Sequence, residues 1–119
     1  MANQIDLKLL IQLIDDQKDI ETNLILDEGC RITADDQAPL VKVINYFMNY
    51  LHSISNGPLQ ISLDLMGDSY LMSFMTYTDK TDRPELSSNL NDALSAFKAK
   101  YEVDHKVGSY VQIKIHFAK

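Results

Sequence analysis

The sequence has 119 residues, 45% of them hydrophobic, which is enough for one apolar core and predicts a single domain over 1–119. Its net charge of −6 disfavours binding to nucleic acids or to anionic membranes, and no basic run interleaved with aromatic residues offsets that charge. Cys30 is the only cysteine, which excludes an intramolecular disulfide and favours a reducing compartment.

The first segment, residues 1–20, is predicted to form an amphipathic helix. Apolar residues recur over 5–18 at a spacing that gives one broad apolar face. Lys8, Gln12 and Asp15 interrupt this pattern, whereas a signal peptide or a membrane span needs an unbroken apolar stretch. We therefore expect a cytoplasmic protein that does not associate with membranes.

The next predicted elements are two short strands and a longer helix. Residues 22–26 and 31–33 are short and apolar enough for strands, and a turn at 27–29 separates them. Apolar residues at helical spacing predict a helix over 40–51, capped by Asp35 or Asp36 with Pro39 in its first turn. The run Asn56-Gly57-Pro58 ends this helix.

The second half of the chain is predicted to begin with a β-hairpin. Apolar and polar residues alternate over 59–65, a tight turn follows at Gly67-Asp68, and 70–77 returns as the second strand. After a polar loop at 78–83, in which Thr81 or Asp82 is a candidate cap, a helix is predicted from Pro84 to Tyr101. A short strand at 101–103 is the competing assignment there. Alternation over 111–117 predicts the last strand.

The predicted fold class is α+β. The order of helices and strands is typical of a two-layer α/β sandwich, in which about three helices lie on one face of a mostly antiparallel mixed sheet. The sandwich is expected to occupy 21–119 and to follow the N-terminal helix of 1–20.

The helix predicted over 40–51 carries a family resemblance. The run 34–51, ADDQAPLVKVINYFMNYL, resembles the N-box helix of the histidine-kinase-like ATPase family, which has an acidic residue before a leucine and then two asparagines four apart. Here these are Asn45 and Asn49. The order of elements agrees with the family over roughly 20–117, and Gly108-Ser109 is similar to the glycine and small hydroxyl residue before the family's last strand.

The resemblance implies a nucleotide site. In the family, the second asparagine binds the magnesium ion that bridges the ATP phosphates, and an aspartate after the hairpin's second strand binds the adenine amino group. By resemblance, Asn45, Asn49 and Asp79 are the candidate nucleotide-binding residues. Asn49 is the candidate metal ligand.

The sequence departs from the family after Asp79. The family has glycines at alternate positions there, whereas this chain reads DKTDRP over 79–84 and has no glycine between Gly67 and Gly108. A loop that wraps phosphates needs positive φ angles and close backbone approach, which glycine allows and bulkier residues resist. We therefore expect a degenerate member with no catalytic residues and no cofactor.

The expected function follows from this departure. The favoured interpretation is a non-catalytic regulatory module that binds a protein partner in bacterial two-component or anti-sigma signalling, with the N-terminal helix available for pairing as a homodimer. The alternative is a compact kinase of the anti-sigma type that binds Mg-ATP through Asn49 and Asp79. No nucleophile motif is present, and the three histidines have no metal-ligand spacing.

Overall fold

The protein is described from a computed structural model, in which residues 3–82 and 84–119 are described. Seven strands and three helices lie in this part of the chain. In chain order they are β1 Asn3–Asp6, α1 Leu7–Asp16, β2 Thr22–Leu26, β3 Arg31–Ala34, α2 Ala38–Ile54, β4 Leu59–Leu65, β5 Ser69–Tyr77, α3 Leu90–Ser95, β6 Ala99–Lys106 and β7 Tyr110–Ala118.

The main sheet is mixed and mostly antiparallel, as the sequence predicts. Its five strands lie in the order β2-β4-β5-β7-β6, and only the β2–β4 pair is parallel. Strands β1 and β3 form a separate antiparallel pair beside it. No helix of the described residues is long and apolar enough to cross a membrane.

The core lies between the sheet and the helices. Ile61, Phe74 and Ile113 face one another across neighbouring strands and are almost fully buried. Phe47 of α2 packs onto this row, with its ring centroid 6.2 Å from that of Phe74. Residues of α1 and α3 belong to the same core cluster, which confirms the expected two layers.

The N-terminal helix is shorter than the sequence predicts. Helix α1 begins at Leu7 because the Asp6 carboxylate accepts hydrogen bonds from the backbone N–H groups of Lys8 and Leu9, at 3.1 and 3.3 Å. The residues before it pair with β3 as a strand, and Ile5 faces Ile32 across that pair. Ile5 is therefore a strand residue, and the assignment of 5–18 to one helix is wrong at both ends.

The predicted helix over 84–101 is also wrong in extent. Only Leu90–Ser95 is helical, so Thr81 and Asp82 are not the residues that cap it. The chain leaves the helix through Lys98, whose φ of 54° lies in the left-handed region. It then forms β6 over Ala99–Lys106, so Tyr101 is a strand residue and the strand assigned to 101–103 is correct but too short.

Candidate functional site

The two asparagines of the N-box resemblance lie on the outer side of α2. Phe47 is fully buried against the sheet, and a displacement of two positions along a helix rotates a side chain by about 200°. Asn45 and Asn49, two positions before and after it, therefore point away from the core. The Asn45 side-chain amide donates to the Val41 carbonyl at 3.0 Å, and Asn49 Oδ1 accepts from Lys18 Nζ at 3.0 Å.

Asp79 is exposed at the start of the loop that follows β5. The residue before it is fixed, because the Thr78 backbone N–H donates to the Ser109 carbonyl at 2.9 Å and Thr78 Oγ1 accepts from the Lys80 N–H at 3.1 Å. Among the hydrogen bonds of residues 3–82 and 84–119, none joins Asn45, Asn49 and Asp79 to one another. The structure does not bring the three candidates together through direct contacts.

A different pair of α2 side chains holds the loop after β5. We call residues 78–89 the cover segment; Arg83, within it, lies outside the described residues. The Tyr50 hydroxyl donates to the Pro84 carbonyl at 2.6 Å, and the Ser87 backbone N–H donates to the Tyr46 hydroxyl at 2.9 Å. The two tyrosine rings stack with centroids 6.4 Å apart. The cover segment is thus fastened along one side of α2.

A lysine adds a third connection between the cover segment and α2. Lys80 Nζ donates to the Ser53 carbonyl at 3.1 Å, in the last turn of the helix. The carbonyls of a helix's last turn have no partner within the helix and carry partial negative charge, which favours a cation there. The contacts of Tyr46, Tyr50 and Ser53 therefore run along one side of the helix, toward the cover segment.

The sequence contains a signal for Tyr46 and Tyr50, although neither is among the predicted site residues. They lie four positions apart and border the apolar stripe that contains Phe47 and Leu51, so they share one side of the helix. A tyrosine in this place buries its ring and directs its hydroxyl to a partner at the edge of the core. The helical spacing of the tyrosines relative to the apolar stripe identifies the side of α2 that contacts the cover segment. The asparagines do not identify it.

The space behind the cover segment is small. A cavity of about 30 Å³ lies between the segment and the β6–β7 turn, with Ile54, Thr78, His105 and Tyr110 among its lining residues. Such a volume holds about one or two water molecules. None of the described residues of the segment has a positive φ angle. The described residues also contain no cluster of three or more His, Cys, Asp or Glu side chains that could hold a metal ion.

Comparison with known proteins gives matches among structures only. No protein-family model matches the sequence, and no curated protein matches it. The catalytic domain of histidine kinase ThkA superposes with a TM-score of 0.72 at 15% identity, covering 100% of this chain and 97% of ThkA. The histidine kinase domain of the E. coli osmosensor EnvZ superposes with a TM-score of 0.74 at 8% identity, covering 98% and 88%. The chain has the histidine kinase catalytic fold.

The same fold corrects one expectation from the sequence. Full-length ShkA, solved in complex with AMPPNP, superposes with a TM-score of 0.77 at 12% identity over 99% of this chain, which spans 31% of ShkA. The expectation that the chain has no cofactor is therefore contradicted, because a histidine kinase of the same fold was solved with a bound adenine nucleotide analogue. An adenine nucleotide with magnesium is the cofactor that the histidine kinase fold implies. The family resemblance and the α+β sandwich are confirmed.

The described residues do not fit a magnesium triphosphate in this closed arrangement. The side of α2 that contacts the cover segment presents tyrosines, whose hydroxyls already bond the backbone at Pro84 and Ser87. Asn49, the one candidate metal ligand, lies on the outer side of the helix and bonds Lys18. A triphosphate would need the cover segment to move, and the segment has no glycine to give it the turns that wrap phosphates.

The buried thiol of Cys30 is expected to be unreactive in the folded protein. Burial, and after it the nearby Asp27 carboxylate, raises the pKa of Cys30 above its ordinary value of 9.0, so the folded state holds this proton more tightly than the unfolded state. The resulting contribution to stability is present below pH 9 and is lost as the pH rises above the ordinary pKa of the thiol. The reactive form of cysteine is the thiolate, which is scarce here.

Alkylation by iodoacetamide at pH 8 measures this reactivity. We expect slow labelling of the native protein and rapid labelling in urea, with a Cys30→Ala variant as the control for labelling at other sites. Equal rates in the native and unfolded proteins would show that the thiol is open to solvent.

Proposed function

We propose that this chain is a regulatory module with the histidine kinase fold, which acts by binding another protein and does not transfer phosphoryl groups. The observation that supports the proposal is the attachment of the cover segment to Tyr46 and Tyr50 of α2. Phosphoryl transfer depends on donors and metal ions that are positioned around the transferred group. In this structure the cover segment is instead held against α2 by these two tyrosines.

The proposal includes the rest of the sequence-based interpretation. It treats 1–119 as one domain, in the cytoplasm of a bacterial cell, within a two-component or anti-sigma pathway. Helix α1 is the candidate surface for pairing with a partner or a second copy, because Leu9 and Leu13 lie one turn apart and are 53% and 51% exposed. Nucleic acids are not among the expected partners, given the net charge of −6.

A phosphate-release assay tests the absence of phosphoryl chemistry. The native protein is incubated with ATP and Mg²⁺ beside Asn49→Ala and Asp79→Ala variants, and released and protein-bound phosphate are both measured. We expect all three proteins to stay at the background rate. Turnover by the native protein that either substitution abolishes would contradict the proposal and place those side chains in a working site.

A second candidate function is a compact kinase that binds Mg-ATP, and the AMPPNP complex of ShkA favours it. It requires the cover segment to open, and it assigns the metal to Asn49 and the adenine to Asp79, with Asn45 on the same side of the helix. Calorimetry with Mg-AMPPNP distinguishes it. The kinase predicts micromolar affinity that falls at least about tenfold in Asn49→Ala, and no change in Asn23→Ala, whose exposed side chain lies on β2. Affinity that is independent of Asn49 would exclude this assignment.

A further inference from the structure

Two neighbouring clefts lie at the end of the sheet away from the cover segment. Strand β5 leads from these clefts, at Ser69, to the cover segment, which follows Tyr77. Lys98 and Ala118 line both clefts, so the two clefts adjoin at these residues. Their volumes are about 390 and 230 Å³. The joined clefts, as we call them, are far larger than the cavity behind the cover segment.

Cations line the joined clefts without carboxylate partners. The ion pairs of residues 3–82 and 84–119 are Lys8–Glu28, Lys114–Asp104 and His116–Glu102. Four cations of the clefts take part in none of these pairs, namely Arg31, Lys98, Lys100 and Lys119. Asp68 is the one acidic side chain among the described lining residues. Positive charge is therefore concentrated here, in a protein whose net charge is −6.

The geometry of Lys119 keeps its charge available. Lys119 Nζ donates to the carbonyls of Met66 and Gly67, at 2.9 and 3.3 Å, and lies 5.2 Å from the centre of the Tyr70 ring. Carbonyl groups and an aromatic face orient an ammonium group without neutralising it. A negatively charged ligand would supply the missing counter-charge.

The backbone at Lys98 is strained at the place where the clefts meet. Its φ of 54° is the one positive value among the described non-glycine residues, and a left-handed conformation is unfavourable for a residue with a side chain. The Lys98 carbonyl accepts a hydrogen bond from the Ala118 N–H at 3.1 Å, which fixes this conformation. Asparagine or glycine would suit this backbone conformation better than lysine does.

The lining of the clefts fits a peptide better than a small anion. A single phosphate is bound where donors converge on one point, whereas these cations are distributed over two clefts on both sides of Ala118. The lining also includes apolar residues that are not fully buried, Ala99 and Ala118. Such a surface matches a segment in which carboxylates alternate with apolar side chains.

We propose that the joined clefts bind an acidic segment of a partner protein, with its carboxylates beside Lys98, Lys100 and the neighbouring cations and its apolar side chains against Ala99 and Ala118. This inference rests on the proposed function, since it gives the chemistry of the partner. It concerns residues at the opposite end of β5 from the cover segment. Peptide binding at the joined clefts and the proposed function can therefore be tested separately.

Fluorescence anisotropy with a labelled peptide of alternating glutamate and leucine tests the inference. The test variant is Lys98→Asn with Lys100→Gln, because asparagine tolerates the positive φ and the fold should survive, as circular dichroism will check. The matched control is Lys42→Gln with Lys106→Gln, which removes two exposed lysines elsewhere. We expect the test variant to bind about fivefold more weakly and the control to bind as the native protein does. Added salt should weaken native binding.

Three results would overturn the inference: no binding of the peptide, equal loss in the test and control variants, or displacement of the peptide by inorganic phosphate at a lower concentration than by unlabelled peptide. Tighter binding of a single-stranded oligonucleotide would assign the clefts to nucleic acid instead.

The phosphate-release assay separates the two proposals. A protein that neither binds the peptide nor turns over ATP loses only this inference, whereas ATP turnover defeats the proposed function whatever the peptide does.

Discussion

Replacement of Phe47 by alanine is expected to lower the free energy of unfolding by about 3–5 kcal/mol. The side chain is fully buried, and its ring lies 6.2 Å from the ring of Phe74 and 5.4 Å from that of Tyr101. Truncation removes the contacts that hold α2 on two strands of the sheet and leaves a cavity. Because α2 carries Tyr46 and Tyr50, this packing also positions the cover segment.

Urea denaturation followed by circular dichroism measures the effect of Phe47→Ala. The matched control is His52→Ala, an exposed position on the same helix, which should change stability by no more than about 0.5 kcal/mol. A loss below about 1 kcal/mol for Phe47→Ala would mean that α2 does not pack on the sheet as described.

The double substitution Tyr46→Phe with Tyr50→Phe is expected to release the cover segment while leaving the core intact. It removes the two hydroxyls that bond the backbone at Ser87 and Pro84, and each such hydrogen bond contributes about 0.5–1.5 kcal/mol. The amide hydrogen of Ser87 should then exchange with solvent about tenfold faster or more. Hydrogen exchange followed by nuclear magnetic resonance resolves this single amide.

The control for the double substitution is Tyr77→Phe. Tyr77 is 58% exposed at the end of β5, so loss of its hydroxyl should leave the exchange of Ser87 unchanged. If Ser87 exchanges at the same rate in the native and doubly substituted proteins, the tyrosines do not hold the segment.

The strands with alternating residues could be predicted from the sequence. Residues 59–65 match β4 in full, the assignment of 70–77 misses only the first residue of β5, and that of 111–117 misses one residue at each end of β7. In these strands one face packs on the helices and the other does not, so the polar and apolar residues alternate with the period of the backbone. A turn signal at Gly67-Asp68 fixes the register of the hairpin.

The helix ends could not be predicted, because two apolar residues fit the periodicity of a helix as well as that of a strand. Ile5 extends the apolar face of α1 at helical spacing, yet it pairs with Ile32 in a strand. Tyr101 continues the spacing of Leu90, Leu94 and Phe97, yet it pairs with Ile115. Contacts with strands distant in the sequence decide both cases, and local propensity carries no information about them.

The candidate site shows the same limitation. The asparagines match the residue types of the family pattern, whereas the structure places the neighbouring tyrosines on the side of α2 that faces the cover segment. The position of each residue relative to the buried stripe around Phe47 shows which side of the helix it faces, and this position can be read from the helical spacing of the sequence. The joined clefts had no such signal, because Arg31, Lys98 and Lys119 meet only through tertiary packing.

The proposed regulatory role depends on the cover segment staying fastened to Tyr46 and Tyr50. Exchange of the Ser87 amide in the native protein, measured with and without millimolar Mg-ATP, tests it directly. We expect the rate to stay within about twofold, since the hydrogen bond to Tyr46 persists. A change of tenfold or more on addition of Mg-ATP would show that the segment rearranges with the nucleotide, and it would favour the kinase.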